Sequence, residues 1–287
     1  MKKLFKQLIV TMLGLFVGFM SVAYAETAED KGWRIMNVID KMPVFQKSQS
    51  ETSFKIYDAQ GSLLFTKKAR SASFATDYQN PDKRLSNSIM YFYAPADDKG
   101  NGALMIEKPG DAEDDQWMYL KGLRKPKRVI GSDKSSSYMG SDFSNGDISR
   151  ADFDEYTYKW LATEKVKFKK KTLKVEKIEL AFKEKSKRED YGYSKMVSWV
   201  HAKSGLIIKG EIYNLDGQLY KKMNLVSFTV KKNKDGKKVF MATGMKMSNL
   251  LKGTKTIMGM KKIKVEKQVK KIKPSIFSLE YLTRRWW

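Results

Sequence analysis

Residues 114–148 read DDQWMYLKGLRKPKRVIGSDKSSSYMGSDFSNGDI. A short strand opens the block. Side chains alternate between faces along a strand, so Trp117 and Tyr119 share one face while Met118 and Leu120 share the other. All four are apolar or aromatic, which predicts burial on both faces. Arg124 and Arg128 follow Asp114 and Asp115 closely enough to pair with them across a turn. Gly140-Ser141-Asp142 predicts a tight turn or helix cap, because Ser and Asp side chains satisfy free backbone N–H groups. Phe143 and Asp147 complete the block. This pattern predicts a loop over the rim of a sheet, controlling access to its interior.

On either side of the block the chain alternates as strands do. Leu63 to Lys68 follows Phe54–Ile56 through Gln60-Gly61, and Ile89 to Tyr93 is a dense apolar run. Ala103 to Ile106 is set off by Gly-rich turns. Downstream, Lys165 to Phe182 reads as one long strand, Lys195 to Ala202 and Leu206 to Tyr213 as a pair joined through Lys203-Ser204-Gly205. Leu219 to Val230, Lys237 to Met247 and Thr254 to Val265 follow, with Asp216-Gly217 and Asp235-Gly236 as hairpin turns. A helix is predicted over Glu26 to about Lys47, with Trp33, Met36, Val38, Ile39 and Met42 on its stripe. A second, short helix is predicted over Ser275 to Arg285. The fold class is therefore α+β and mostly β, one curved antiparallel sheet that wraps helices on its concave side or closes partly into a barrel.

The first residues set the compartment. Lys2, Lys3 and Lys6 precede an apolar run from Leu8 to Val22, and Ala23-Tyr24-Ala25 is a small-x-small cleavage pattern. Residues 1–25 are expected to be a signal peptide and 26–287 a single domain, exported and periplasmic. Cysteine is absent, so stability rests on the core rather than on disulfides.

Net charge is +24, unevenly spread. From Glu26 to Thr157, 19 basic residues face 21 acidic ones, whereas from Tyr158 to Trp287 the count is 34 against 11. The excess is almost all lysine on an exported chain without arginine-rich or aromatic-basic reader motifs. That argues against nucleic acid as a partner and for an anionic membrane surface or an acidic protein.

Catalytic chemistry has little to work with. His201 is the single histidine, which excludes a His/Cys metal site within the chain, and no nucleophile elbow, phosphate loop or zinc-protease motif is present. No cofactor, metal or enzymatic activity is expected. The strands instead carry soft and aromatic side chains: Tyr91, Tyr93, Trp117, Tyr119 and Trp199, with Met241, Met245, Met247, Met258 and Met260. Methionine adapts to variable apolar shapes, so these ten are the candidates for lining a cavity that shelters an acyl chain.

The opening block also resembles the signature of the outer-membrane lipoprotein-sorting (LolA-like) family. Asp114-Asp115-Gln116-Trp117-Met118-Tyr119-Leu120, the basic segment with Arg124 and Arg128, then Gly140-Ser141-Asp142-Phe143 and Asp147-Ile148 follow that family's order and spacing. The chain departs from it at Lys121-Gly122 and Asn145-Gly146. The resemblance implies a half-open β-barrel covered by helices, a periplasmic carrier or receptor for acyl chains of a lipid or lipoprotein, and partnership with a membrane transporter of the RND superfamily. A sensor or interaction module, docking on an acidic partner through the lysine-rich half, is the alternative expectation.

Overall fold

The computed structural model describes residues 25–110, 112–149 and 151–287. Apart from Ala25, the expected signal peptide lies outside the described residues. Thirteen strands form one antiparallel sheet: β1 (Lys47–Tyr57), β2 (Leu63–Thr76), β3 (Leu85–Ala94), β4 (Gly102–Ile106), β5 (Asp115–Leu120), β6 (Lys125–Arg128), β7 (Tyr156–Phe168), β8 (Lys171–Phe182), β9 (Lys195–His201), β10 (Leu206–Tyr213), β11 (Leu219–Lys232), β12 (Lys238–Asn249) and β13 (Lys255–Val265). Their order is β6-β5-β4-β3-β2-β1-β13-β12-β11-β10-β9-β8-β7.

The chain thus enters the sheet at its middle, where β1 pairs with both β2 and β13. Strands β1 to β6 meander to one edge. Residues 129–155 then carry the chain across to the opposite edge, and β7 to β13 meander back. This crossover contains most of the block quoted above.

The sheet curls around the crossover. Phe54, Ala69, Phe92 and Ala103 from one wing and Phe182, Ile212 and Met247 from the other belong to one buried cluster with Tyr138, Met139 and Phe143 of the crossover. At a strand spacing of ~4.8 Å, β4 and β8 would lie about 40 Å apart in a flat sheet. The other wing is curled further at its tip: the Phe168 and Phe228 rings are 5.8 Å apart, although β7 and β11 would be about 19 Å apart if flat. The sheet does not close, since β6 and β7 remain edges.

Helix α1 (Ala28–Asp40) is capped by Thr27, whose side chain accepts from the Asp30 N–H, and it packs Ile35 and Met36 on Tyr158, Ile178 and Leu180. Gly32 lies so close to β7 that a Cβ there would come within 2.8 Å of the Trp160 nitrogen. That contact rotates the helix: Trp33 and Val38, predicted on the buried stripe, are exposed. The helix is also shorter than predicted.

Other expectations need correction. Lys165 to Phe182 is a hairpin rather than one strand, turning at Lys169, which takes the left-handed conformation (φ 53°). The C-terminal segment forms short 3₁₀ turns at Pro274–Ile276 and Leu279–Leu282 instead of a helix. Its Ile272, Phe277, Leu282 and Trp286 cover the outer face of β2–β5, against Phe74, Ile89, Leu104, Trp117 and Tyr119. Among the described residues no helix is long and apolar enough to cross a membrane.

Candidate functional site

The concave face is unusually rich in methionine. Met139 and Met247 are buried in the central cluster, and Met90, Met118, Met196, Met223, Met245 and Met258 pack against it. All but Met139, which belongs to the crossover, come from strands on both wings, so the face is a broad, soft surface. It is covered by the crossover. Tyr138 is 1% exposed, with its ring 5.9 Å from that of Phe54 and 6.5 Å from that of Phe92. Met139 and Gly140 are both left-handed (φ 51° and 73°), a conformation uncommon for residues other than glycine. This reversal lets the crossover lie flat while Tyr138, Met139 and Phe143 all remain buried. Burial raises the Tyr138 hydroxyl well above its ordinary range, so it stays protonated and donates to the Met90 sulfur at 3.4 Å.

Polar latches fasten the crossover to the sheet. The Asp142 carboxylate accepts hydrogen bonds from the hydroxyls of Thr254 and Thr256, and the Thr256 hydroxyl accepts from the Asp142 N–H at 2.9 Å. Thr256 is fully buried. Five residues on, Asp147 lies in the one-turn helix α2 (Asn145–Ile148). There Ser144 and Asp147 form a reciprocal capping box. The same Asp147 carboxylate takes a buried ion pair from Lys221 of β11 at 3.0 Å, both side chains being under 10% exposed. On the other wing the Gln116 side-chain amide donates to the Asn145 carbonyl at 3.1 Å. Gly146 is required at the crossing over α3 (Lys185–Tyr191), because a Cβ would come within 2.5 Å of the Tyr191 ring.

A small polar cleft of about 80 Å³ lies at the root of the crossover, lined by Asp114, Gln116, Lys134, Asp152, Glu155 and Lys187 among others. Burial, with the nearby Asp114 and Glu155 charges, pushes the Asp152 carboxyl up to about 6. Burial also raises that of Asp114. A cavity of ~150 Å³ is what benzene needs, so this cleft takes no acyl chain.

The predicted residues divide by face. Met245, Met247 and Met258 meet on the concave side beneath the crossover, and alternation puts Met260 with them, opposite Thr52. Met241 belongs to a separate cluster with Phe45, Val239 and Val265. Tyr91, Trp117 and Tyr119 lie on the outer face: Tyr91 packs on Trp287, with ring centroids 5.0 Å apart, and the other two sit under the C-terminal segment. Tyr93 is half-buried at the end of β3. Trp199 faces away from Met196 by alternation; its indole donates to Glu164 at 2.6 Å and the Lys209 ammonium lies over the ring. In the block, Asp115 pairs with Arg128 at 2.7 Å, while Arg124 is exposed at the β5–β6 turn. Asp114 accepts from the Lys108 N–H. Ser141 is buried, its hydroxyl donating to the Tyr138 carbonyl, and Gly140 is exposed.

Sequence reasoning missed Tyr138, Met139, Thr254, Thr256 and Lys221. A Tyr-Met pair inside a run of Ser, Gly and Asp was the available signal for the first two. Nothing local marks Thr254, Thr256 or Lys221, which act through residues more than seventy positions away.

The curled, open antiparallel sheet is a fold this chain shares with solved structures of outer membrane lipoprotein-sorting and LolA superfamily proteins. A family model described as "Uncharacterized protein" matches residues 84–284, and the chain belongs to that family, DUF1329. A crystal structure of a DUF1329 family protein from Desulfovibrio piger is 25% identical, with a TM-score of 0.75 over 89% of this chain and 99% of that one. An outer membrane lipoprotein-sorting protein domain from Vibrio parahaemolyticus is 24% identical, with a TM-score of 0.74 over 89% of this chain and 100% of that one. A LolA superfamily protein from Nitrosomonas europaea shares the fold at 20% identity, with a TM-score of 0.61 over 90% of this chain and 100% of that one. No curated protein matches the sequence.

Proposed function

We propose that the protein is a periplasmic carrier or receptor that binds acyl chains of a lipid or lipoprotein between the methionine-rich concave face and the crossover, and passes them on without chemistry. The observation that carries this reading is that the crossover covers a broad soft apolar surface yet is fastened to it by a few polar latches. Cargo would enter by displacing Tyr138, Met139 and Phe143 rather than by filling a standing cavity.

The magnitudes support such an exchange. Burying a side chain of this size is worth about 1.5–3 kcal/mol, so releasing the three costs roughly 5–9 kcal/mol. A methylene contributes ~0.8 kcal/mol, so about ten buried methylenes offset the loss. A near balance favours transfer, because a carrier that bound much more tightly would not release. The acceptor proposed from the family resemblance is a membrane transporter of the RND superfamily.

Lipid extraction and mass spectrometry on mature protein purified from the periplasm without detergent test the reading. A defined lipid or lipopeptide near one per chain is expected. Lipid-free protein that also takes up no fluorescent fatty acid would overturn it.

A further inference from the structure

The strand ends where β1 meets β2 and β12 meets β13 form one rim of the half-barrel. Adjacent turns touch there: Tyr57 pairs with both Leu63 and Lys255, a Cβ on Gly253 would lie 3.0 Å from that of Ala59, and the Leu250 N–H donates to the Tyr220 carbonyl. Along this rim Leu63, Leu64, Phe65, Leu215, Leu250 and Leu251 are 45–65% exposed. Large apolar side chains scattered singly on a surface are ordinary, but a contiguous row marks an interaction site.

The charge around the row selects the occupant. Residues 55–68, 214–222 and 246–255 carry eight lysines against Asp58 and Asp216. Lys67, Lys221 and Lys222 are engaged in ion pairs with Asp98, Asp147 and Glu211, which leaves Lys55, Lys68, Lys246, Lys252 and Lys255 around the leucines. A second copy of this rim would meet it with like charge. Apolar tips set in a lysine field instead match an anionic bilayer interface, where aliphatic side chains enter the acyl boundary and lysines meet the headgroups.

We infer that this rim docks the protein on an anionic membrane surface, Leu250 and Leu251 inserting beside the latch that holds the crossover. Thr254 and Thr256, which bind Asp142, follow these leucines by three to six residues. Docking therefore brings the cover of the concave face to the lipid. The inference deepens the carrier reading, on which it rests for its purpose, but docking is measured without cargo.

Flotation of the mature chain with vesicles of phosphatidylglycerol and phosphatidylethanolamine, and with vesicles of phosphatidylcholine alone, is the test. Binding to the first, weakened by salt, is expected. Leu250→Ser/Leu251→Ser should lower it about tenfold or more, while Leu161→Ser, an exposed leucine of β7, should leave it unchanged. Absence of binding to the anionic vesicles overturns the inference, as does binding that the rim variant leaves intact. Fatty-acid uptake from aqueous solution, measured on the same proteins, separates the two readings. Docking without uptake removes the carrier and keeps the rim; uptake without docking does the reverse.

Discussion

Lys221 and Asp147 hold the crossover through charges that are both nearly buried. Removing one partner of such a pair leaves an uncompensated charge, so Lys221→Met is expected to destabilise the fold by about 3–5 kcal/mol in urea unfolding. Lys221→Met/Asp147→Leu should recover part of that, because no charge is then left unpaired. Asp152 behaves in the opposite sense. Its native carboxyl titrates near 6, above the ordinary value of 3.8. Between those values the folded state holds the proton more tightly, so its contribution favours folding at low pH and is lost as pH rises through about 6. Asp152→Asn should therefore stabilise the protein at pH 7.5, on the order of 1 kcal/mol after screening of a half-exposed group, and have no effect below about pH 4. Melting curves of the two proteins across that range check the sign. Gly146→Ala should push the crossover off Tyr191, since the added methyl has no room. The expected result is a lowered melting temperature and faster fatty-acid uptake.

The elements were legible to unequal degrees. Hairpins with Gly in the turn, such as the one closed at Asp235-Gly236, stand out because their turn chemistry is local. The hairpin at Lys169-Lys170 does not: a lysine there takes a left-handed conformation that sequence does not advertise, and the alternation continues through the turn. Strand β6 contains Pro126, which argues against a central strand but suits an edge. The C-terminal segment has apolar residues at helical spacing, yet Ile272, Phe277, Leu282 and Trp286 bury on the sheet through separate short turns, a tertiary outcome rather than a helical propensity. Within the crossover, Asp142 and Asp147 were identifiable as special, but their partners Thr254, Thr256 and Lys221 were not, because only the fold brings them near. The face of each strand was the other gap. Trp117 and Tyr119 and their neighbours Met118 and Leu120 bury on opposite sides, and period-two alternation alone does not say which side is concave.

At the scale of the whole molecule, a thirteen-stranded sheet that enters at its middle must return its chain from one edge to the other. The return path between β6 and β7, through Tyr138, Met139 and Phe143, lies across the concave face. Topology thus supplies a cover for the apolar interior, and the methionines beneath it supply a surface tolerant of different occupants. The exchange of cover for cargo is the central claim. The chain has no cysteine, so Asp142→Cys/Thr254→Cys introduces a single pair at two side chains that already touch. Fluorescent fatty-acid uptake by this variant, oxidised and then reduced, tests the claim most directly. Uptake blocked in the oxidised form and restored on reduction is the predicted result; equal uptake in both forms would contradict it.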